Sequence, residues 1–443
     1  MRVPRLMQGI ERPREVLAWG LYDLANQSFT LLIITLLFPL YFKEIAVGDP
    51  RRGDALWSAG AAASLLIVVA LSPIVGAAAD ARRGRKLVLI GSGALCALLT
   101  AALTLVEPGL WWLGLALFIP ANICYQLGEN MLASFLPSLS TPRTLGRVSG
   151  IGWAMGYAGS LALLVLVYLG ADRLGWSTSA QWRPFFVLAG AWFALFMVPA
   201  ALALREPRER TIDPEHAGVG SVYRRLSRTL GDLRRFNQLA RFLIAFLVYG
   251  LGVQTMIMFA AILASDFGIR DMGLVVFTLQ IAVTAGISAI IVSRFQDRVG
   301  VQRTVVFFLL VWIVSCMSLL AIRLTHGDGA PQWMFWAVGN GIGAGLGGIG
   351  TSSRALVGFF SPRARVGEFF GLWGMTYKLA GAIGVLSFGQ VKAWVGDASA
   401  LALLSTFFVI GLVLVKRVDM GAGIRAARRE DRSSGHRPGA PRT

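Results

Sequence analysis

The chain is a succession of long apolar runs separated by short polar stretches. A bilayer core about 30 Å thick is crossed by ~20 apolar residues in helical conformation. Twelve runs reach that length, over approximately 16–42, 55–79, 87–106, 110–136, 147–170, 184–204, 239–264, 271–293, 304–323, 332–358, 366–392 and 398–415. Proline and glycine stand at many of the junctions, as at Pro108-Gly109 and Pro184. The runs are continuously apolar and lack the ten-residue alternation of a spanning strand, which sets a β-barrel aside. The pattern therefore predicts an all-α integral membrane fold: twelve transmembrane helices in two six-helix halves around a central cavity.

The longest interior polar stretch, 205–238, divides the chain into a half over 1–204 and a half over 239–415. Within it Val222, Leu226, Leu230 and Leu233 recur at helical spacing, with Arg224, Arg225, Arg228, Arg234 and Arg235 between them. This predicts an amphipathic helix on an anionic leaflet. The basic tail over 416–443, with Pro438 and Pro441, is expected to be disordered.

Composition removes the soluble alternative. Hydrophobic residues make up 55% of the chain and charged ones 15%, with mean hydropathy +0.63. That is more apolar surface than a soluble protein of this size can bury. The net charge of +18 raises nucleic-acid binding. However, the basic residues alternate with apolar runs and gather on no one face, so no nucleic-acid partner is expected. Their distribution speaks to orientation instead. Loops on the side of the termini hold 33 Lys and Arg, and the opposite loops hold eight, Lys43 and Lys392 among them. The excess of inside cations places both termini in the cytoplasm of a multi-pass protein of the cell (inner) membrane. No cleavable signal is expected, because residues 1–15 are polar and basic. Cys96, Cys124 and Cys316 sit in separate apolar runs, and His216, His326 and His436 in loops without ligand spacing. Neither a metal site nor a cofactor is expected.

The two halves carry an internal repeat. Gly76-x3-Asp80-x3-Gly84-Arg85-Lys86 follows the second span, and Asp297-Arg298-x-Gly300-x2-Arg303 follows the eighth. Thr141-Pro-Arg-x2-Gly146-x3-Gly150 is matched by Ser361-Pro-Arg-x3-Gly367-x3-Gly371, and both offsets are near 220 residues. Glycine at such a place permits close helix approach, and an aspartate can pair with arginine or cap the next helix. A reversible latch is expected of Gly76, Asp80, Gly84 and Arg85, and of Asp297, Arg298 and Arg354 in the second half.

Twelve spans in two halves with this loop resemble the major facilitator superfamily. That resemblance implies a loop that gates one side and a cavity lined by spans one, four, seven and ten. A narrower set of motifs resembles the autophagy-related vacuolar amino-acid effluxers and their bacterial relatives. It comprises Trp19-Gly-Leu-Tyr22-Asp23-Leu-Ala25-Asn26, Leu136-Pro137, Gly146-Arg-Val-Ser-Gly-x-Gly-Trp-x-x-Gly-Tyr157, Ser353-Arg354, Glu368-Phe-Phe-Gly371 and Lys378. Two departures, Gly350 and Glu129, stand where that family usually has glutamine and an aromatic residue.

Ionisable residues inside spans are costly, by ~2.5–3.5 kcal/mol on insertion scales, and each needs a reason. Asp23, Asn26, Gln27 and Thr30 recur at i, i+3, i+4 and i+7 and predict one polar face on span one. Asn122, Gln126 and Glu129, flanked by Tyr125 and Asn130, predict a second on span four. Lys378 is the one cation placed well within a span, and Arg354 lies near the end of span ten. A packing role competes with a cavity role for each of these. Asp23, Asn26, Gln126, Glu129, Asn130 and Lys378 are the candidate substrate or coupling residues, and a carboxyl in an apolar cavity suits proton coupling. The Gly-rich run 339–350 contains Gly-x-Gly-x2-Gly, but inside a span it cannot be a dinucleotide turn. Packing is its favoured reading.

The predicted function is secondary transport of a small polar or zwitterionic metabolite, an amino acid among the candidates, by alternating access. No ATPase motif is present, so the partners expected are a small-molecule substrate, a proton and membrane lipid, for a monomer. A drug or lipid efflux pump and a non-transporting receptor on the same scaffold are the alternatives. An enzyme is disfavoured, since no span holds a histidine or a paired-carboxylate motif.

Overall fold

The computed structural model describes residues 10–141, 144–176, 178–206, 218–233, 235–362 and 365–433. Regular structure among them is helical. Residues 13–47 run as one long helical element: α1 (Pro13–Ser28), a π-helical stretch Phe29–Leu36, α2 (Leu37–Tyr41) and a second π-helical stretch Phe42–Val47. Pro39 accounts for the first widening, because its ring opposes the carbonyl of residue 35 and it offers no N–H. The element extends five residues beyond its predicted end and stops at Gly48, whose φ of 72° is left-handed. Asp49 then caps α3 (Pro50–Arg82) by accepting from the Arg52 N–H at 2.7 Å.

Next come α4 (Arg85–Ala102), α5 (Trp111–Leu139), α6 (Leu145–Leu174), α7 (Arg183–Ala203) and α8 (Val219–Asp232). They are followed by α9 (Asn237–Met258), α10 (Ala260–Asp266), α11 (Met272–Val299) and α12 (Val301–His326). The series ends with α13 (Gln332–Phe360), α14 (Val366–Trp394), α15 (Asp397–Lys416) and α16 (Met420–Ser433). Among the described residues, ten helical segments are long and apolar enough to cross a membrane. The two other expected spans coincide with α5 and α13, each 29 residues long. The Asn, Gln and Glu of α5 and the many glycines of α13 make them less apolar than the ten.

The chain forms two compact units. Unit 1 takes Met1–Tyr223 together with Ile257–Ser265 and Ile269–Val276. In it α1 packs on α6 and α7, α4 on α5 and α7, and α3 on α5. Its core is aromatic: Phe118 stacks on Phe29 and Phe38 at 6.5 and 5.7 Å, with Trp57 4.7 Å from Phe118. Unit 2 takes Arg224–Met256, Asp266–Gly268 and Phe277–Thr443. There α12 packs on α13 and α15, and Trp312 stacks on Phe408 at 4.8 Å.

In α13 the glycines from Gly339 to Gly348 are packing residues, as expected, whereas a Cβ at Gly350 or Gly358 would meet nothing within 4 Å. A Cβ at Gly343 or Gly347 would meet the carbonyl oxygens of Ile281 and Ala285 at 2.8 and 2.1 Å, so α11 lies directly on that face. Gly345 and Gly348 face Trp312 and Phe308 of α12. The amphipathic helix predicted in 205–238 is present as α8.

The tail is a correction: residues 420–433, expected to be disordered, form α16. The cause is a specific cap and contact that composition does not reveal. Asp419 Oδ1 accepts from the Ala422 N–H at 2.9 Å, and the Gln238 side chain accepts from the Asp419 N–H at 2.9 Å. Residues 434–443 lie outside the described residues.

Candidate functional site

The single polar face expected on span one divides in two. Asn26 Nδ2 donates to Glu129 Oε1 of α5, and Thr30 Oγ1 donates to the Tyr125 hydroxyl of α5 at 2.8 Å. Gln27 instead accepts from Ser160 Oγ of α6 at 2.9 Å, and Asp23 lies against Gly156, where an added Cβ would stand 3.1 Å from its Oδ2. At 3.6 residues per turn, Asp23 and Gln27 lie roughly 60° round the helix from Asn26 and Thr30. That angle suffices to serve two neighbouring helices. Asn26 is 1% exposed, and its Oδ1 accepts no hydrogen bond from a described residue. The surrounding wall fixes α1. Trp19 Nε1 donates to the Leu132 carbonyl and Tyr22 OH to the Leu89 carbonyl, both at 2.8 Å.

The face on α5 divides likewise. Glu129 and Tyr125 meet α1, whereas Asn122 donates to Ser64 at 2.7 Å and Asn130 to Ser72 at 2.9 Å, both on α3. Asn122 and Asn130 therefore stitch α3 to α5. Gln126 is half-buried and makes no side-chain hydrogen bond to another described residue. The structure thus brings Asn26 and Glu129 together and sets Asn130 on a different seam.

In unit 2, Lys378 is half-buried on α14, directly after Tyr377, which with Phe246 and Trp373 forms an aromatic group. The Arg354 guanidinium lies over Trp373 at 5.8 Å, and the Ser353 and Tyr249 hydroxyls are 2.7 Å apart. These contacts join α9, α13 and α14.

The loop after α3 holds the expected ion pair of Asp80 and Arg85. Arg85 also reaches the Ser134 carbonyl of α5 at 3.5 Å. The glycines act differently from expectation. A Cβ at Gly76 or Gly84 would meet nothing within 4 Å, and the left-handed residue that ends α3 is Arg83, with φ 53°. The N-terminus of α4 is capped by Glu206, whose carboxylate accepts the N–H groups of Arg85 and Lys86 at 2.9 and 2.7 Å. Glu206 was missed, although an acid just past span six was a readable signal. In the second copy of the motif, Arg298 is exposed and pairs with none of the described side chains, while the side chain of Asp297 lies outside the described residues. There Gln302 acts instead, donating to the Val415 and Val418 carbonyls at 2.9 and 2.8 Å.

Two buried cations also escaped the sequence, which counted them as loop residues. Lys43 is paired with Asp54 of α3 at 3.2 Å. Lys392 is paired with Asp266 at 2.9 Å and with Asp397 at 3.1 Å, and Asp397 also meets Arg323 at 2.5 Å. Both lysines are more buried than Lys378, which the sequence singled out. At the other end of unit 2, Arg365 pairs with Glu368 and Asp232 at 2.7 and 2.9 Å, and Thr229 of α8 donates to Glu368. Its hydrogen bonds to Glu368, with a lesser part from Asp232, hold the Arg365 guanidinium above its ordinary pKa despite partial burial. The Arg365 side of that lock stays charged across any working pH.

Among the described residues the regular structure is helical, with ten candidate spans and polar groups set inside apolar helix contacts, which is the architecture of a multi-pass membrane protein. Solved transporters share its fold. The D-xylose-proton symporter superposes with a TM-score of 0.71 at 14% identity, covering 93% of this chain and 98% of that one. The nucleoside transporter NupG superposes with a TM-score of 0.66 at 14% identity, covering 93% and 99%. The family described as "Vacuole effluxer Atg22 like" matches residues 54–428, and the chain belongs to it. Among its relatives is the MFS-type transporter YxiO of Bacillus subtilis (strain 168), 26% identical over 408 residues, with 90% of this chain and 93% of that protein covered. Autophagy-related protein 22 of Yarrowia lipolytica (strain CLIB 122 / E 150) is 22% identical over 336 residues. The chain spans 56% of that fungal protein's length.

Proposed function

We propose that the chain is a secondary active transporter that moves a small polar or zwitterionic metabolite by alternating access, coupled to protons and working in export. The observation that carries this reading is the Asn26–Glu129 contact, a carboxyl and an amide meeting between two apolar helices. Each group is costly inside a membrane. The carboxylates of Asp23 and Glu129 suit an ammonium group or a proton. A substrate carboxylate calls for a cation, and Lys378 supplies one on α14. The Asp80–Arg85 pair serves as a latch that opens and closes during the cycle. Counting α5 and α13 as spans gives twelve in two halves of six, with both termini in the cytoplasm. The effluxer description of the family is what favours export, and an amino acid is the first substrate class to test.

The test is flux of a labelled amino-acid panel in proteoliposomes, with and without an imposed proton gradient. Glu129→Gln is expected to abolish gradient-driven accumulation while leaving the protein folded, and Lys378→Ala to lower flux at least ~tenfold, the loss of about 1.4 kcal/mol. Gradient-independent flux that is equal in wild type and Glu129→Gln would remove proton coupling. An absence of flux for every amino acid would move the search to other polar metabolites.

A further inference from the structure

The helix α16 presents a second basic surface, separate from α8. Arg425, Arg428, Arg429 and Arg432 recur at i, i+3, i+4 and i+7, and all four are exposed. Lys416 and Arg417, at the end of α15, are exposed as well. The opposite face is small and buried. Ala427 is 5% exposed, and a Cβ on Gly423 would meet the Phe360 ring at 2.4 Å and Cβ of Gln238 at 3.2 Å.

These two contacts fix where α16 lies. Phe360 is the last residue of α13, and Gln238 is the second residue of α9. Gln302 at the start of α12 holds the carbonyls of Val415 and Val418, and Asp419 caps the new helix. α16 is therefore clamped across the ends of helices in unit 2, two of which, α9 and α12, are candidate spans. Span ends lie at the depth of lipid headgroups. Its outward face carries cations and no large apolar side chain, so it is built for phosphate groups and not for insertion into the acyl region. The three acids in 416–432 do not cancel it. Asp419 is engaged in the cap, and Glu430 and Asp431 lie off the exposed stripe and are half-buried.

We infer that α16 is a docking site for anionic phospholipid headgroups, held in place by the Asp419 cap and the Gln302 and Gln238 contacts. The site needs only that unit 2 is embedded in a membrane and does not depend on what the protein carries. The cationic stripe attracts an anionic leaflet within about a Debye length, and each Arg removed weakens that attraction.

The test uses the full chain in nanodiscs of phosphatidylcholine alone or with phosphatidylglycerol. Hydrogen exchange of the 420–433 backbone is expected to slow when phosphatidylglycerol is present, and to return when salt is raised. Native mass spectrometry of the detergent-purified protein is expected to show retained phosphatidylglycerol. That retention should fall about tenfold in the variant Arg425→Gln/Arg428→Gln/Arg429→Gln/Arg432→Gln. Neutralising Arg224 and Arg228 of α8 should leave the exchange of 420–433 unchanged. Equal exchange in the two nanodiscs would overturn the inference. So would equal lipid retention in wild type and variant, or protection reproduced by inorganic phosphate alone.

Discussion

The α3–α5 seam of unit 1 and the α11–α13 seam of unit 2 are two versions of one design. Asn122 donates to Ser64 in the first, and in the second Thr284 donates to Asn340 at 3.0 Å. Asn340 stands 218 residues after Asn122 and Thr284 stands 220 after Ser64, so the two bonds occupy equivalent places in the repeat. Beside the seams the two helices part company. Counted on by the same 218 residues, Glu129 and Tyr125, on the α1 side of α5, correspond to Gly347 and Gly343 of α13. Unit 1 holds polar side chains against α1 at these positions, whereas in unit 2 they are glycines and α11 lies on the bare backbone. Both seams are stitched by polar side chains, Asn122 and Asn130 on α5 and Gln280, Thr284 and Ser288 on α11, but only the second adds backbone contact at glycines.

The comparison can be broken hardest at Gly347. Gly347→Glu would install the unit 1 side chain where an added Cβ already stands 2.1 Å from the Ala285 carbonyl oxygen. The neighbour is backbone and cannot turn aside, so a loss of more than ~4 kcal/mol is expected. It would be read as failure to recover monodisperse protein by size-exclusion chromatography. A well-folded Gly347→Glu protein would show that α11 and α13 are not closely packed.

The buried ion pairs come next. The side chains of Lys43 and Asp54 are 6% and 3% exposed, whereas Asp266 beside Lys392 is 18% exposed. Asp54→Asn should therefore cost the larger amount, about 3 kcal/mol, as expected for breaking a fully buried pair. Asp266→Asn should cost about 1 kcal/mol or less, because Lys392 keeps Asp397 and Asp266 already reaches solvent. Thermal unfolding of the two purified variants measures the difference, and equal shifts would erase the distinction. The smallest effect belongs to the shared bond. Asn122 is fully buried and Asn340 is exposed, so Asn122→Ala should lose about 1 kcal/mol and Asn340→Ala a few tenths. Reversed losses would mean that the equivalence of the two bonds is formal only.

Much of the fold was legible because a bilayer imposes a strong rule: a run of about 20 apolar residues has few alternatives to a helix. Ten of the expected runs emerged as helices that satisfy that rule, and the remaining two emerged as the long helices α5 and α13. The candidate site was legible as a set of residues and not as a set of partners. Periodicity placed Asp23, Asn26, Gln27 and Thr30 on one side of a helix, but roughly 60° of rotation separates the group facing α5 from the group facing α6. Lys43 and Lys392 were read as loop cations because each lies close to the end of an apolar run. Asp54 and Asp266 are 11 and 126 residues away in sequence, and only Asp397, five residues after Lys392, is a local partner.

By itself, the sequence determined that the chain is helical and membrane-embedded, and it showed which motifs recur and which polar residues had to be explained. Those properties follow from apolar length, repeat spacing and the cost of charge in hydrocarbon, all of them additive along the chain. The tertiary structure alone decided which neighbour each polar group meets, which glycines are in close contact, and that the basic tail folds as α16. Such outcomes depend on distances between segments far apart in sequence. The glycines make the point: Gly76 faces open space whereas Gly347 lies against a backbone carbonyl, and no local property of the chain separates the two.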